Sequence, residues 1–126
     1  SLSINIYLRD QLKMTKSEIK FTVTLDDNMV AEKIDWSASD AKEHNTSKGV
    51  MISVWDAKEN NTMRIDFWTK DMMVDEMCQF YHQTFLSMAD TFERATGEME
   101  AAKSMRNFAQ QFGEKVNLFT KKKFDA

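Results

Sequence analysis

Polar and apolar residues alternate from Glu18 to Leu25, with Ile19, Phe21, Val23 and Leu25 set against Glu18, Lys20, Thr22 and Thr24. Successive side chains of a strand point to opposite faces, so a period of two predicts a half-buried strand. Asp26-Asp27-Asn28 predicts the turn that ends it, because short polar side chains bond back to the local backbone. A second strand is predicted over Ala31 to Ser37, with Ile34 and Trp36 on one face and Lys33 and Asp35 on the other. Residues 39–48 are polar without alternation and read as the longest internal loop. A third strand, Gly49 to Asp56, sets Val50, Ile52 and Val54 against Met51, Ser53 and Trp55. After a turn over 57–61, a fourth sets Met63, Ile65 and Phe67 against Thr62, Arg64, Asp66 and Trp68. Links this short suit antiparallel neighbours.

The period then changes. Val74, Met77, Cys78, Tyr81, Phe85, Met88, Phe92 and Ala95 recur at three and four residues, the apolar stripe of a helix. Thr96-Gly97 ends it, since glycine tolerates the left-handed conformation just past a helix. Ala102, Met105, Ala109, Phe112, Val116 and Phe119 form a second stripe, and so short a junction makes the helices antiparallel neighbours. Two helical stripes and four alternating strands all need cover. The expected fold is a two-layer α+β domain over 14–126, a four-stranded antiparallel meander with two C-terminal antiparallel helices packed on one face. Met14 is a candidate natural start, which makes residues 1–13 an N-terminal extension or cloning remnant.

Length and charge narrow the classes. A chain of 126 residues suits one domain that needs no disulfide or metal to fold. A net charge of -3 and a pI near 5.4 give no reason to expect nucleic acid. The basic run Lys121-Lys122-Lys123 suits the negative end of a helix dipole. No stretch approaches the roughly 20 apolar residues of a membrane span, so no direct membrane insertion is expected. Ser3–Leu8 is too short and polar for a signal-peptide core. The lone Cys78 leaves no intrachain disulfide, and a cytoplasmic location is the default.

Candidate chemistry is sparse. Asp75, Cys78 and His82 share one side of a helix and are all zinc-ligand types, but one helix supplies only part of a site and no fourth ligand is evident. His44 beside Glu43 is the other histidine. The carboxylates Asp56, Asp66, Asp71, Asp75 and Glu76 suit solvated surface or a helix start better than a magnesium site. Three scattered glycines make no phosphate loop. The sequence therefore assigns no catalytic residue, no metal ligand and no cofactor. Ten methionines suit gap-filling in a core, with a Met- and Phe-lined pocket for a small ligand as the alternative.

The non-core sheet face holds more. Met51, Trp55, Arg64, Asp66 and Trp68 share it, and Trp and Arg dominate interface energetics. These five are the expected protein-binding residues. A cover within the monomer or a homodimer is the competing use of the same face. Arg64 and Asp66 are expected to pair across strands, with Lys20 or Lys33 for example.

These residues carry a family resemblance. KSEIKFTVTLDDNMVAEKIDW at 16–36, SVWDAKENNTMRIDFWTKDMMVDEM at 53–77 and ATGE at 95–98 are similar to the gliding motility-associated protein GldC family of Bacteroidetes. The first strand is its least specific part. Met73 stands where that family often has proline at the first helical position, which removes some helix-start preorganisation. The 39–48 loop departs most. The resemblance implies a small protein without a lipoprotein signal, in a family that no enzymatic activity defines and that offers no catalytic residues to carry over. The expected function is that of a non-enzymatic accessory protein of the gliding-motility or cell-envelope machinery, binding a protein partner such as another gliding component. A metal-binding protein or hydrolase using Asp75, Cys78 and His82 or the acidic cluster near Asp66–Asp71, or a small-ligand carrier, is the alternative.

Overall fold

A computed structural model describes residues 15–40 and 44–119. The extension expected over 1–13, residues 41–43 of the polar loop and the run Lys121–Lys123 lie outside the described residues. The protein is α+β, and the chain divides into two compact units, Ser1–Asp71 and Met72–Ala126.

The first unit carries the strands β1 (Ile19–Leu25), β2 (Ala31–Ala38), β3 (His44–Ser47), β4 (Gly49–Trp55) and β5 (Thr62–Trp68). Every ladder is antiparallel, but there are two sheets, ordered β1-β2-β3 and β4-β5, where the sequence predicts one four-stranded meander. The cause lies at Lys48, a single bend residue between β3 and β4. Before it the chain pairs with β2, and after it with β5, so one run of chain serves two sheets. β3 occupies part of the predicted loop. Its sequence His-Asn-Thr-Ser holds no apolar residue to alternate, so its extended state comes from pairing with β2.

Backbone bonds fasten the bend. Thr69 N–H donates to the Lys48 carbonyl at 2.7 Å, and Lys70 N–H donates to the Ala31 carbonyl at 3.0 Å. The core of this unit centres on Ile34, 0 % exposed and opposite Val23 of β1 and Ser47 of β3. Val50, next to the bend, is also buried. Val54, Met63 and Ile65, expected to be core, are instead more than half exposed. Val54 and Met63 lie toward the turn and Ile65 at the middle of a two-stranded ribbon, in which Val50 beside the bend is the buried apolar residue.

The predicted turn chemistry is present after β1. Asp26 Oδ1 accepts from the backbone N–H groups of Asn28 at 2.8 Å and Val30 at 3.0 Å. Met29 takes the left-handed conformation, with φ 63°. An L-residue pays roughly 1–2 kcal/mol there, and asparagine tolerates the region better. Met29 is exposed, so Met29→Asn loses little packing. We expect it to stabilise the strand unit by up to about 1 kcal/mol, read as a higher urea midpoint at unchanged m-value.

The second unit is a helical hairpin, α1 (Val74–Thr96) and α2 (Met99–Lys115). Glu76 accepts from the Met73 backbone N–H at 2.9 Å, which satisfies one of the donors a helix start leaves over. Met73 is thus the N-cap, one residue before the first helical position. Gly97, at φ 74°, ends α1 as predicted, its N–H donating to the Glu93 carbonyl at 2.8 Å. The end of α2 differs from expectation. Asn117 is left-handed and Leu118 N–H returns to the Gly113 carbonyl, so the helix stops before Phe119. The Phe119 ring then packs edge-on against His82, with centroids 5.5 Å apart.

The two helices meet through small residues. Ala89 of α1 and Ala102 and Ala109 of α2 are fully buried, and Gly113 is buried beside them. Phe85 seals one side, its ring edge-on to Phe108 at 5.3 Å and Phe112 at 5.2 Å. Arg106 reaches Asp90 at 2.8 Å and Glu93 at 2.9 Å, tying the helices by a forked ion pair. Of the predicted α1 stripe, Val74, Tyr81, Met88 and Ala95 are exposed.

Candidate functional site

The β4–β5 register sorts this hairpin into two faces. Val50 lies opposite Phe67, Ile52 opposite Ile65 and Val54 opposite Met63, forming the apolar face. Gly49 faces Trp68, Met51 faces Asp66, Ser53 faces Arg64 and Trp55 faces Thr62, forming the other. All five residues singled out in the sequence share this second face. Alternation alone was enough to place them.

Their arrangement is more specific than the sequence implies. Trp55 and Trp68 do not touch: their registers differ by six strand positions, about 20 Å at roughly 3.3 Å per residue. The indoles frame the charged residues from opposite ends and are 64 % and 56 % exposed. Between them Arg64 binds Asp66 of its own strand, through Nε to Oδ2 at 3.2 Å and Nη2 to Oδ1 at 2.8 Å. Arg64 Nη1 also donates to Ser53 Oγ across the ladder. The cross-strand partners proposed for this pair, Lys20 and Lys33, are not used. Lys33 lies 3.7 Å from Asp35, its neighbour two positions along β2. Residues two apart on a strand share a face, which lets a long guanidinium fold back onto the carboxylate.

The residues just after this face anchor it. Thr69 is buried, and its hydroxyl donates to Asp71, holding that carboxyl below the ordinary carboxylate range, with Lys48 adding charge attraction. Lys70 Nζ reaches Glu32 at 2.9 Å and Asp26 at 3.3 Å. These carboxylates raise the Lys70 pKa, Glu32 contributing most. The Asp26 carboxyl is lowered chiefly by the Val30 N–H, then by Asn28 and Lys70. Thr69, Lys70 and Asp71 therefore pin the exit of β5 to the β2 turn and the Lys48 bend. The hairpin is presented from a fastened base.

The other candidates do not assemble. Among the described residues no three His, Cys, Asp or Glu side chains stand close enough to hold a metal, Asp75, Cys78 and His82 included. His82 packs on Phe119, and Cys78 is half-buried on α1. Met- and Phe-lined clefts do exist in the helical hairpin. One of about 340 Å³ is lined by Phe85, Ser104, Met105 and Phe108, and another of about 440 Å³ includes Met88, Phe92 and Met105. Among the described residues no helix is long and apolar enough to cross a membrane.

Residues 31–118 match the family model described as gliding motility-associated protein GldC-like. The chain belongs to the GldC-like family. The match begins at Ala31, the first residue of β2, and leaves out β1, the strand whose sequence is least specific. It includes both faces of the β4–β5 hairpin, the anchoring run 69–71 and both helices. No curated protein and no solved structure matches the chain. The GldC-like description associates the family with gliding motility and assigns no role to individual residues.

Proposed function

We propose that this chain is a non-enzymatic accessory protein of the gliding-motility or cell-envelope machinery that acts by docking to another protein. The surface is the face of the β4–β5 hairpin formed by Met51, Trp55, Arg64, Asp66 and Trp68. A further gliding component is the first candidate partner, and the cytoplasm the expected location.

One observation carries the reading: two exposed indoles frame a fixed Arg64–Asp66 pair on an anchored hairpin. Covering the exposed part of each indole, on the order of 100 Å², contributes roughly 2–3 kcal/mol at about 25 cal/mol per Å². Because Arg64 is already held by Asp66 and Ser53, less of its side-chain freedom is lost on binding. Trp and Arg are the side chains most often found to dominate interfaces.

Affinity purification of tagged protein from the native host tests this. The Trp55→Ala/Trp68→Ala variant should recover at least one wild-type partner more than about tenfold less well, the equivalent of 1.4 kcal/mol, while its thermal melt stays unchanged. Equal recovery of every partner by both proteins would overturn it.

A further inference from the structure

The docking role concerns one face of the hairpin; the edge of β5 makes a separate claim. Among the described residues β5 has one ladder partner, β4. The hydrogen-bonded rungs at the two ends of this ladder are Lys48 with Thr69 and Asp56 with Asn61. Hydrogen-bonded and non-bonded pairs alternate in an antiparallel ladder. The unbroken register between those rungs therefore turns the backbone of residues 61, 63, 65, 67 and 69 toward β4. The N–H and C=O groups of Thr62, Arg64, Asp66 and Trp68 point to the other edge. The next group on that edge, Lys70 N–H, is taken by Ala31, so the open run is Thr62–Trp68.

Open edges invite pairing, and proteins usually blunt them with lysine, proline or a bulge. β1, one edge of the other sheet, carries Lys20 and a register irregularity at Thr24/Leu25. β5 has none of these devices. Its sequence, Thr-Met-Arg-Ile-Asp-Phe-Trp, is instead self-complementary about its centre, Ile65. Two copies run antiparallel about a two-fold axis there would set Arg64 opposite Asp66 of the second copy, and Asp66 opposite its Arg64. Met63 would face Phe67, and Ile65 would face itself. The outward backbone groups of 62, 64, 66 and 68 fall into hydrogen-bonded rungs in that register. Side-chain charge, apolar side and backbone polarity all agree on it. The far edge of β4, unpaired among the described residues, offers no charge complement, since Met51 and Ser53 flank its centre.

We propose that β5 is a self-recognition edge, pairing with β5 of a second copy in the register centred on Ile65 to make a four-stranded sheet β4-β5-β5-β4. A seven-residue strand pair is a smaller contact than the roughly 1,200–2,000 Å² of standard stable complexes, so the dimer is reversible. Its two docking faces become continuous. The edge is read by mass and the docking face by partner recovery, so either claim can fail alone.

Sedimentation velocity up to millimolar protein tests it, with circular dichroism confirming that each variant is folded. Wild type should show a concentration-dependent dimer. Arg64→Asp and Asp66→Arg should each self-associate at least tenfold more weakly, because each places like charges opposite one another. Mixed in equal amounts, the two variants should form a heterodimer, since the pairing again joins opposite charges. A second measurement reports the register without altering charge. In a Cys78→Ser background, Ile65→Cys should form an intermolecular disulfide when oxidised glutathione accepts the electrons, because a non-hydrogen-bonded rung sets Cα atoms about 4.5 Å apart. Met63→Cys or Phe67→Cys alone should not. Wild type that remains monomeric throughout, charge variants that dimerise as wild type does, or cross-linking at 63 or 67 in preference to 65 would each overturn the proposal.

Discussion

Ile34→Ala should destabilise the strand unit by about 2–5 kcal/mol, the range for removing a fully buried aliphatic side chain. Ile34 is the largest side chain wholly shielded from water among the described residues. It stands at the crossing of three strands, opposite Val23 and Ser47, so truncation opens a cavity where β1, β2 and β3 all meet. Neighbours held by ladders on both sides cannot collapse far into the space, which keeps the cost toward the upper part of the range. Ile34→Val should lose only about 0.5–1.5 kcal/mol. The assay is unusually clean. All three tryptophans, Trp36, Trp55 and Trp68, belong to the first unit, so their fluorescence during urea unfolding reports the strands. A loss below about 1 kcal/mol for Ile34→Ala would mean that the centre of this unit lies elsewhere.

Ala109→Leu is the second large effect, expected to cost the helical hairpin about 1–3 kcal/mol or more. Its physics is the reverse of the first: too much volume where there is none to spare. Ala89, Ala102 and Ala109 are fully buried and bring the two helix backbones close. Three added carbons at 109 must separate the helices or displace Phe112 and Phe85, whose rings are packed edge-on. Separation would also pull Arg106 away from Asp90 and Glu93. Ala101→Leu is the control, because Ala101 is exposed on the same helix and leucine has nearly alanine's helix propensity. Far-UV circular dichroism, dominated by the helices, follows both variants. Equal melts for the two would show that the helices do not meet through this seam.

Much of this molecule was legible from period alone. Strict alternation located β1, β2, β4 and β5 nearly to the residue, and the same alternation placed all five proposed docking residues on one face. What alternation could not show were features without a large apolar side chain. β3 is wholly polar and extended only because β2 pairs with it. The bend that makes two sheets from one expected meander is a backbone event at Lys48. The helix seam is built from alanines and a glycine: the α2 period already held Ala102 and Ala109, but Ala89 and Gly113 carry little weight in a hydrophobic period and were not singled out. Asn117 was a readable stop signal, since asparagine often closes a helix in the left-handed conformation, and it explains why Phe119 leaves the expected helix.

The candidate site shows the same division. Alternation drew attention to Arg64 and Asp66, but their partners follow from side-chain length and a shared face on one strand, not from charges on neighbouring strands. Counting register positions was enough to separate the two indoles. Thr69, Lys70 and Asp71 gave no sequence signal of their own as anchors. Their partners, Lys48, Ala31, Asp26 and Glu32, are distant in sequence and come together only at the bend.

Photo-cross-linking in the native host puts the docking face to its most direct test. Benzoylphenylalanine at position 55 keeps an aromatic ring where the indole stands, and the same group at Asn107, exposed on α2, serves as the comparison. A docking face at Trp55 should give a discrete adduct from position 55 to a different polypeptide, and none from 107. An adduct from 55 only to another copy of this chain, no adduct at all, or equal labelling from both positions would contradict it.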